Sequence, residues 1–556
     1  MCSSLRESLS NIPPISPFVN TFFQKIKSFF ILHFIALYVV VCMISNHMEI
    51  LITMFYPRYD TGRYHPIRRP EYDLPLCSAS LREIFSACAD FQIREIAFGM
   101  EGNISLTVCW LDGIVSGGDV SGYILRPLTQ SARTANAQDE AQAKYAILHG
   151  GVYSCSVKER TELDALINAL THGHCAVVLD ALQTALCFEV KSDKARAVSE
   201  PTLEKALKGA KDSFVETLRV NTALVRRRIA TPKLKLMECT IGRKSATRVA
   251  VMFVDGVAAP ETVEAVAARL AALDVDGLVT VGVLEEGLVD APASSFPQLA
   301  HTERPDRFAM YLLDGRVGIL VDGIPVGLIL PVTFAEFMKV TSDTTSHFLV
   351  ASAVAVLRYF SLALSALLPA LYVAIAMYHQ EMIPSRLLLS IIEAKQDVPF
   401  STALEVIGML VSFTLLQEAG LRLPNPIGDT VSIIGALIVG QSAVEARVVS
   451  PIAIIVVALS GIAGYTLPSQ DMGSAVRLVR FVLVIAAIAA GLFGVTAVMC
   501  LIIFFLARID SFGVNYTAPL SEGERGAFLK LFARIPKLRD KYRDPLLNTP
   551  DRRRQK

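Results

Sequence analysis

The chain has 556 residues, 52% hydrophobic and only 19% charged, and its mean hydropathy of +0.46 is too apolar for an ordinary soluble protein, in which about a quarter of residues are charged. Its 53 basic and 52 acidic residues leave a net charge of +1, so no global field points to nucleic acid as a partner. The ten cysteines form no C-x-x-C pair and no Cys/His cluster at zinc spacing; those in apolar runs, such as Cys109 and Cys187, read as free thiols of a reducing, cytoplasm-facing region.

Residues 1–56 begin polar and then run FFILHFIALYVVVCMI from Phe29 to Ile44, after Lys25 and Lys27. Sixteen residues are short for a membrane span, and no small-residue cleavage site follows. The segment reads as an uncertain N-terminal extension: an over-long reading frame, with Met48 or Met54 as the start, ranks ahead of an anchor or signal.

Residues 73–340 read as globular and carry an internal repeat. ISLTVCWLDGIV from Ile104 parallels RVAVMFVDGVA from Arg248, placing Asp112-Gly113 over Asp255-Gly256 at an offset of 143. GHCAVVLDALQTALCFEV from Gly173 parallels GRVGILVDGIPVGLILPV from Gly315, placing Asp180 over Asp322 at an offset of 142. Each copy offers an apolar strand ending in Asp-Gly, an intervening segment, then a hairpin. In the second, Val263, Val266, Leu270 and Leu273 fall at helical spacing. The fold class expected is therefore an α+β soluble region of two repeated α/β subdomains, 73–195 and 236–340, followed by an all-α membrane domain of about four to five helices.

Between the subdomains, 196–235 is expected to hold an amphipathic helix from about Glu200 to Ile229, started by Ser199 and Pro201. Its basic face, Lys205, Lys208, Lys211, Arg219 and Arg226-Arg227-Arg228, reads first as solvated and second as a contact for anionic headgroups or an acidic partner.

The membrane block covers 348–506. Spans are expected near 348–378, 430–447, 450–467 and 481–506, each apolar enough for a hydrocarbon core of roughly 30 Å. The stretch 401–420 carries Glu405 and Glu418 and reads as interfacial or re-entrant, because a carboxylate at the bilayer centre costs roughly 2.5–3.5 kcal/mol. The small and polar residues Ser432, Gly435, Ala436, Gly440, Gln441 and Ala443 are candidates for pore lining or close helix packing. Arg358, Glu405, Glu418, Glu445 and Arg447 are candidate intramembrane polar or gating groups, the structural alternative being that Arg358 pairs with one of these carboxylates. The basic tail, 507–556, has eleven Lys or Arg against five Asp or Glu after residue 520, which favours the cytoplasm and, with four spans, puts the soluble region there too.

No catalytic constellation is present: there is no H-E-x-x-H, no G-x-S-x-G and no G-x-G-x-x-G after a strand, and Gly242-Arg243-Lys244-Ser245 lacks the earlier glycine of a phosphate loop. No enzyme, cofactor or metal is expected.

The runs SEPTLEKALKG (Ser199–Gly209), LRVNTALVRRRIATP (Leu218–Pro232), TERPDR (Thr302–Arg307), LLDGRVGILVDGIPVGLILP (Leu312–Pro331) and LRLPNPIGDTVSIIGALIVGQSAVEARVVSPI (Leu421–Ile452) occur in an order that resembles the A subunit of GerA-type spore germinant receptors. The resemblance spans about residues 75–520; within the wider family, which includes SpoVAF-like paralogues, it is nearer the receptor A subunits. Gly209-Ala210-Lys211 departs from the Gly-Pro-Arg usual in the family, and residues 1–56 have no clear family counterpart. The resemblance implies a multi-pass protein of the spore inner membrane that works with a permease-like B subunit and a lipoprotein C subunit, and whose homo-oligomers contribute to a germinant-gated ion channel. The alternatives are a stand-alone SpoVAF-like paralogue or a secondary-transporter component; the latter normally shows inverted repeats in its membrane block, and none is found.

Overall fold

The computed structural model describes residues 72–98, 104–130, 137–153, 156–192, 201, 204, 208–422, 440–520, 531–536 and 540–555. Pro70–Lys556 forms one compact unit.

Two antiparallel five-stranded sheets make up the soluble region. The first comprises β1 (Phe91–Phe98), β2 (Ile104–Leu111), β3 (Val157–Arg160), β4 (His174–Leu179) and β5 (Thr184–Glu189), ordered β1-β2-β4-β5-β3. The second comprises β6 (Leu234–Ile241), β7 (Thr247–Val254), β8 (Ala300–Thr302), β9 (Val317–Val321) and β10 (Gly327–Leu330), ordered β6-β7-β9-β10-β8. The central strands are continuous apolar runs because both sheet faces are covered: Leu106 and Val108 enter one core, Cys109 and Leu111 the other. Cys109, Cys175 and Cys187 are free and buried, and burial pushes all three thiols up, Cys187 to about 11.

The Asp-Gly steps close the strands they follow. Gly113 turns at φ +93°, and a Cβ there would lie 2.9 Å from the Arg219 carbonyl oxygen, so only glycine fits. Asp180 and Asp322 serve as caps: Asp180 accepts from the Ser78 N–H (2.7 Å) at the start of helix α1 (Ser78–Ile84), and Asp322 accepts from the Leu218 N–H (3.0 Å). Helix α2 (Leu163–Thr171) packs on the first sheet.

The connecting helix is shorter than expected. Helix α3 occupies only Leu218–Arg228, and residues 208–217 form an extended strap. The strap is held by specific bonds rather than by helical ones. The Asn221 amide brackets the N–H and carbonyl of Val215, the Phe214 N–H donates to the Glu303 carbonyl, and the Phe214 ring packs edge-on against Phe308 at 5.4 Å. The basic face is solvated only in part: Lys208, Lys211 and Arg227 are exposed, whereas Arg219, Arg226 and Arg228 are engaged within the chain. Arg226 is fully buried and clamps Asp90 with two hydrogen bonds (2.5 and 2.8 Å), Arg228 pairs with Asp212, and Arg219 pairs with Asp112 and Glu238. Helices α4 (Pro260–Ala272) and α5 (Pro305–Leu313) complete the second subdomain.

The helical block contains α6 (Phe348–Tyr378), α7 (Ser385–Lys395), α8 (Thr402–Arg422), α9 (Pro451–Tyr465) and α10 (Gln470–Arg508). Among the described residues, α6, α8 and α10 are long and apolar enough to cross a membrane; α9 is apolar but has 15 residues. One hydrophobic cluster runs without a break from Leu236 and Ile329 of the second sheet through Val373 of α6 to Leu483 of α10. Residues 423–439, with Ser432, Gly435 and Ala436, lie outside the described residues.

The stretch expected as a span at 481–506 belongs to a longer helical segment that is interrupted. Helix α10 starts at Gln470 and breaks at Ala490-Gly491, where Gly491 takes φ +57°, ψ −141°. A straight helix would place Asp471 and Phe512 about 60 Å apart. Instead both reach the same short helix, Val281–Leu288: Asp471 through His301, which also pairs with Glu285, and Phe512 beneath Arg269, which bonds the Leu288 carbonyl. The two legs, 470–489 and 492–508, therefore run antiparallel. Gly494 sits against the carbonyl of Ala486 too closely to admit a Cβ, as expected across a tight reversal. The turn abuts the end of α6, where the Tyr378 hydroxyl donates to the Ile488 carbonyl.

The tail returns to the soluble region. Arg554 pairs with Asp314, Arg543 donates to the Leu313 carbonyl, and the Asp551 N–H donates to the Gly256 carbonyl. Soluble region and tail therefore lie at the same end of the helical block.

Candidate functional site

Polar side chains buried inside the helical block form the candidate site, because polar atoms among packed apolar helices are costly and persist where partners or function retain them. At the end nearest the soluble region, Arg358 makes a fork-to-fork pair with Asp343 (2.6 and 2.7 Å) and also donates to the Met338 carbonyl. The sequence alternative that Arg358 neutralises Glu405 or another of the candidate carboxylates is thus corrected. Asp343 lies five residues before α6, within reach of the guanidinium three turns up the helix.

Glu405 lies at the opposite end, on the first turn of α8, and is 2% exposed. Its carboxylate accepts from the N–H (3.1 Å) and hydroxyl (2.7 Å) of Ser450 and lies 3.2 Å from the Lys395 ammonium. Because Glu405 is enclosed by α7 and α9, the charge that argued against a lipid-exposed helix is hidden from lipid altogether. Arg447 pairs with Asp397, and Glu445 accepts from Gln441; all four are exposed. Glu418 is exposed near the other end of α8, Ala443 is half-buried against the main core, and Gly440 has nothing within 4 Å of where a Cβ would stand.

Between these two ends lies a group that sequence reasoning missed. Arg480, on the first leg of α10, is 1% exposed and donates to the Ser460 hydroxyl (2.8 Å), which donates to the Ser365 carbonyl (3.2 Å). Arg480 sits one residue before the apolar run at Phe481 and so marks a boundary if the run alone defines the helix. The available signal was Arg477-x-x-Arg480, two cations on one face of a helix that starts ten residues earlier. Among the described residues, no group of three or more His, Cys, Asp or Glu is arranged to hold a metal ion.

The family model described as "Bacillus/Clostridium GerA spore germination protein" matches residues 79–546. The chain belongs to the GerA spore germination protein family. Among relatives of this GerA-family chain, spore germination protein B1 of Bacillus subtilis is 34% identical over 85% of the chain and 96% of its own length. Spore germination protein KA of the same species is 33% identical over 86% and 87%, and the uncharacterized membrane protein YfkQ, also from Bacillus subtilis, is 34% identical over 82% and 88%. The solved N-terminal domain of the A subunit of the Bacillus megaterium spore germinant receptor GerK3 is 27% identical, covering 46% of this chain and 93% of that one, with a TM-score of 0.36.

In this GerA-family chain, the junction between sheet and helices is ionic. Burial alone would lower the basicity of His301, but Asp471 and Glu285 outweigh it and hold the imidazole up at about 9. The folded value lies above the ordinary 6.5, so the imidazolium contributes fully below about pH 6.5 and its contribution is lost as pH rises through about 9. Thermal midpoints of the solubilised chain are expected to fall between pH 6.5 and 9 by an amount that His301→Gln removes. Equal slopes for wild type and variant over that window would sink the assignment.

Proposed function

We propose that the chain is the A-type subunit of a nutrient-responsive germination receptor in the spore inner membrane, that it oligomerises beside permease-like B and lipoprotein C subunits, and that it contributes to a germinant-gated ion channel. No catalytic role is proposed. The observation that carries this reading is the ionic tie from the second subdomain to the leg of α10 that bears Arg480: a movement of the sheet has a route, Glu285–His301–Asp471, to the helix that holds a charge deep among apolar helices. Family membership supplies the context of germination.

The finer architecture follows the same reading. We infer that the two subdomains are copies of one unit, a reading supported by the spacing of their elements, since β4 and β9 begin at 174 and 317, β5 and β10 at 184 and 327, and α2 and α5 at 163 and 305, and by their matching strand orders. Because soluble region and tail meet at one end of the block, the number of passes is even, and the excess of Lys and Arg in the tail favours the cytoplasm or spore core for both. The second reading is a stand-alone membrane paralogue; the likeness to the membrane protein YfkQ is compatible with it.

Gly440 offers a test, since a Cβ added there meets nothing within 4 Å among the described residues. Gly440→Leu is expected to leave protein levels unchanged and to slow germinant-triggered ion release several-fold, by obstructing a pore or a contact between copies. Ion release at the wild-type rate, at equal protein level, would remove this segment from the channel.

A further inference from the structure

The buried arginines of this chain are matched by carboxylates, with one exception among the described residues. Arg226 pairs with Asp90, Arg304 with Asp306, Arg316 with Glu336 and Arg358 with Asp343. Arg480 is as buried as Arg304 and more buried than Arg316 or Arg358, yet Nη1 has only the Ser460 hydroxyl, while Nε and Nη2 meet no acceptor. It stands roughly 15 Å along the helix axis from both Asp471 and Gly491, so neither end of the leg brings it to water. Arg477, one turn earlier, is engaged with Gln417 and Ser474 and adds a second positive charge rather than neutralising the first.

A guanidinium so placed is retained at high cost unless a negative group joins it. The unused atoms also indicate which group. Nε and Nη2 form the side edge of the guanidinium plane, whose two parallel N–H bonds match both oxygens of a carboxylate; a spherical halide cannot accept both in line. Ser460, anchored on the Ser365 carbonyl, holds Nη1 and so fixes the plane of the fork.

We propose that Arg480 is the cationic anchor of a binding site for a small carboxylate anion inside the helical block, received side-on by Nε and Nη2. The site stands without the channel reading, because occupancy is read on purified protein with no ion flux; its failure and that of the channel are therefore separate results.

The test uses the full-length chain purified in detergent, with acetate and chloride compared at equal ionic strength. Acetate is expected to raise the thermal midpoint saturably and chloride not to. Arg480→Gln removes the response. Arg480→Lys keeps the charge but not the fork and is expected to raise half-saturation at least tenfold. Equilibrium dialysis of labelled acetate against wild type and Arg480→Lys carries the test directly should Arg480→Gln fail to accumulate. Equal responses to the two salts, unchanged binding in Arg480→Lys, or no retained label would each overturn the proposal. So would a response confined to added phosphatidylserine, which would assign the fork to a lipid headgroup.

Discussion

Asp90→Ala is expected to destabilise the soluble region by about 3–5 kcal/mol, the usual loss when one partner of a buried ion pair is removed and the other stays buried. The Arg226 guanidinium has no exposed surface and Asp90 is 2% exposed, so water cannot replace the lost carboxylate. The pair also joins two elements far apart in sequence, the turn before β1 and helix α3, while Arg226 reaches the Thr231 carbonyl on its other side. Chemical unfolding of Asp90→Ala, Arg226→Met and the double variant measures the effect. The double variant is expected to recover much of the loss, because two apolar groups leave no orphan charge. A penalty below about 1 kcal/mol for Asp90→Ala would show that the site admits water and that the pair does not tie α3 to the first sheet.

The second large effect is geometric. Spin labels at Ser474 and Arg508, both exposed, are expected to lie roughly 20 Å apart if α10 doubles back, against about 50 Å for an unbroken helix of that length. Pulsed dipolar spectroscopy separates the two without ambiguity of scale. Gly491→Val is expected to disturb the short distance, because the φ/ψ pair at Gly491 is one that β-branched residues avoid and a Cβ there would meet the Tyr378 ring at 3.1 Å. A long distance in the wild type would remove the antiparallel legs and, with them, the route from the second subdomain to Arg480.

Periodicity and composition determined a good deal alone. The apolar strands, the Asp-Gly turns, the hairpins at Asp180 and Asp322 and the apolar stretches of α6 and α9 were legible because each depends on local chemistry: alternation, glycine at positive φ, or a long run without charge. Glu405 stood out in the sequence as a carboxylate in an apolar stretch, and it is buried. Only the tertiary structure decided what its charge meets, since Ser450 is 45 residues away. The same holds for α3, whose helical pattern continues upstream of Leu218 in the sequence but loses to bonds from Asn221, Glu303 and Asp322. Arg226-Arg227-Arg228 resembled a solvated face because nothing local reveals an Asp90 that lies 136 residues earlier. The reversal at Gly491 was invisible for the opposite reason: Ala-Ala-Gly is equally at home within an apolar helix, and the choice between continuing and turning rests on Tyr378 and on the second subdomain holding both ends. Sequence thus determined which segments are apolar and where glycine is required; three-dimensional packing decided which charges are buried together, because ion pairing depends on distance in space and leaves no periodic trace along the chain.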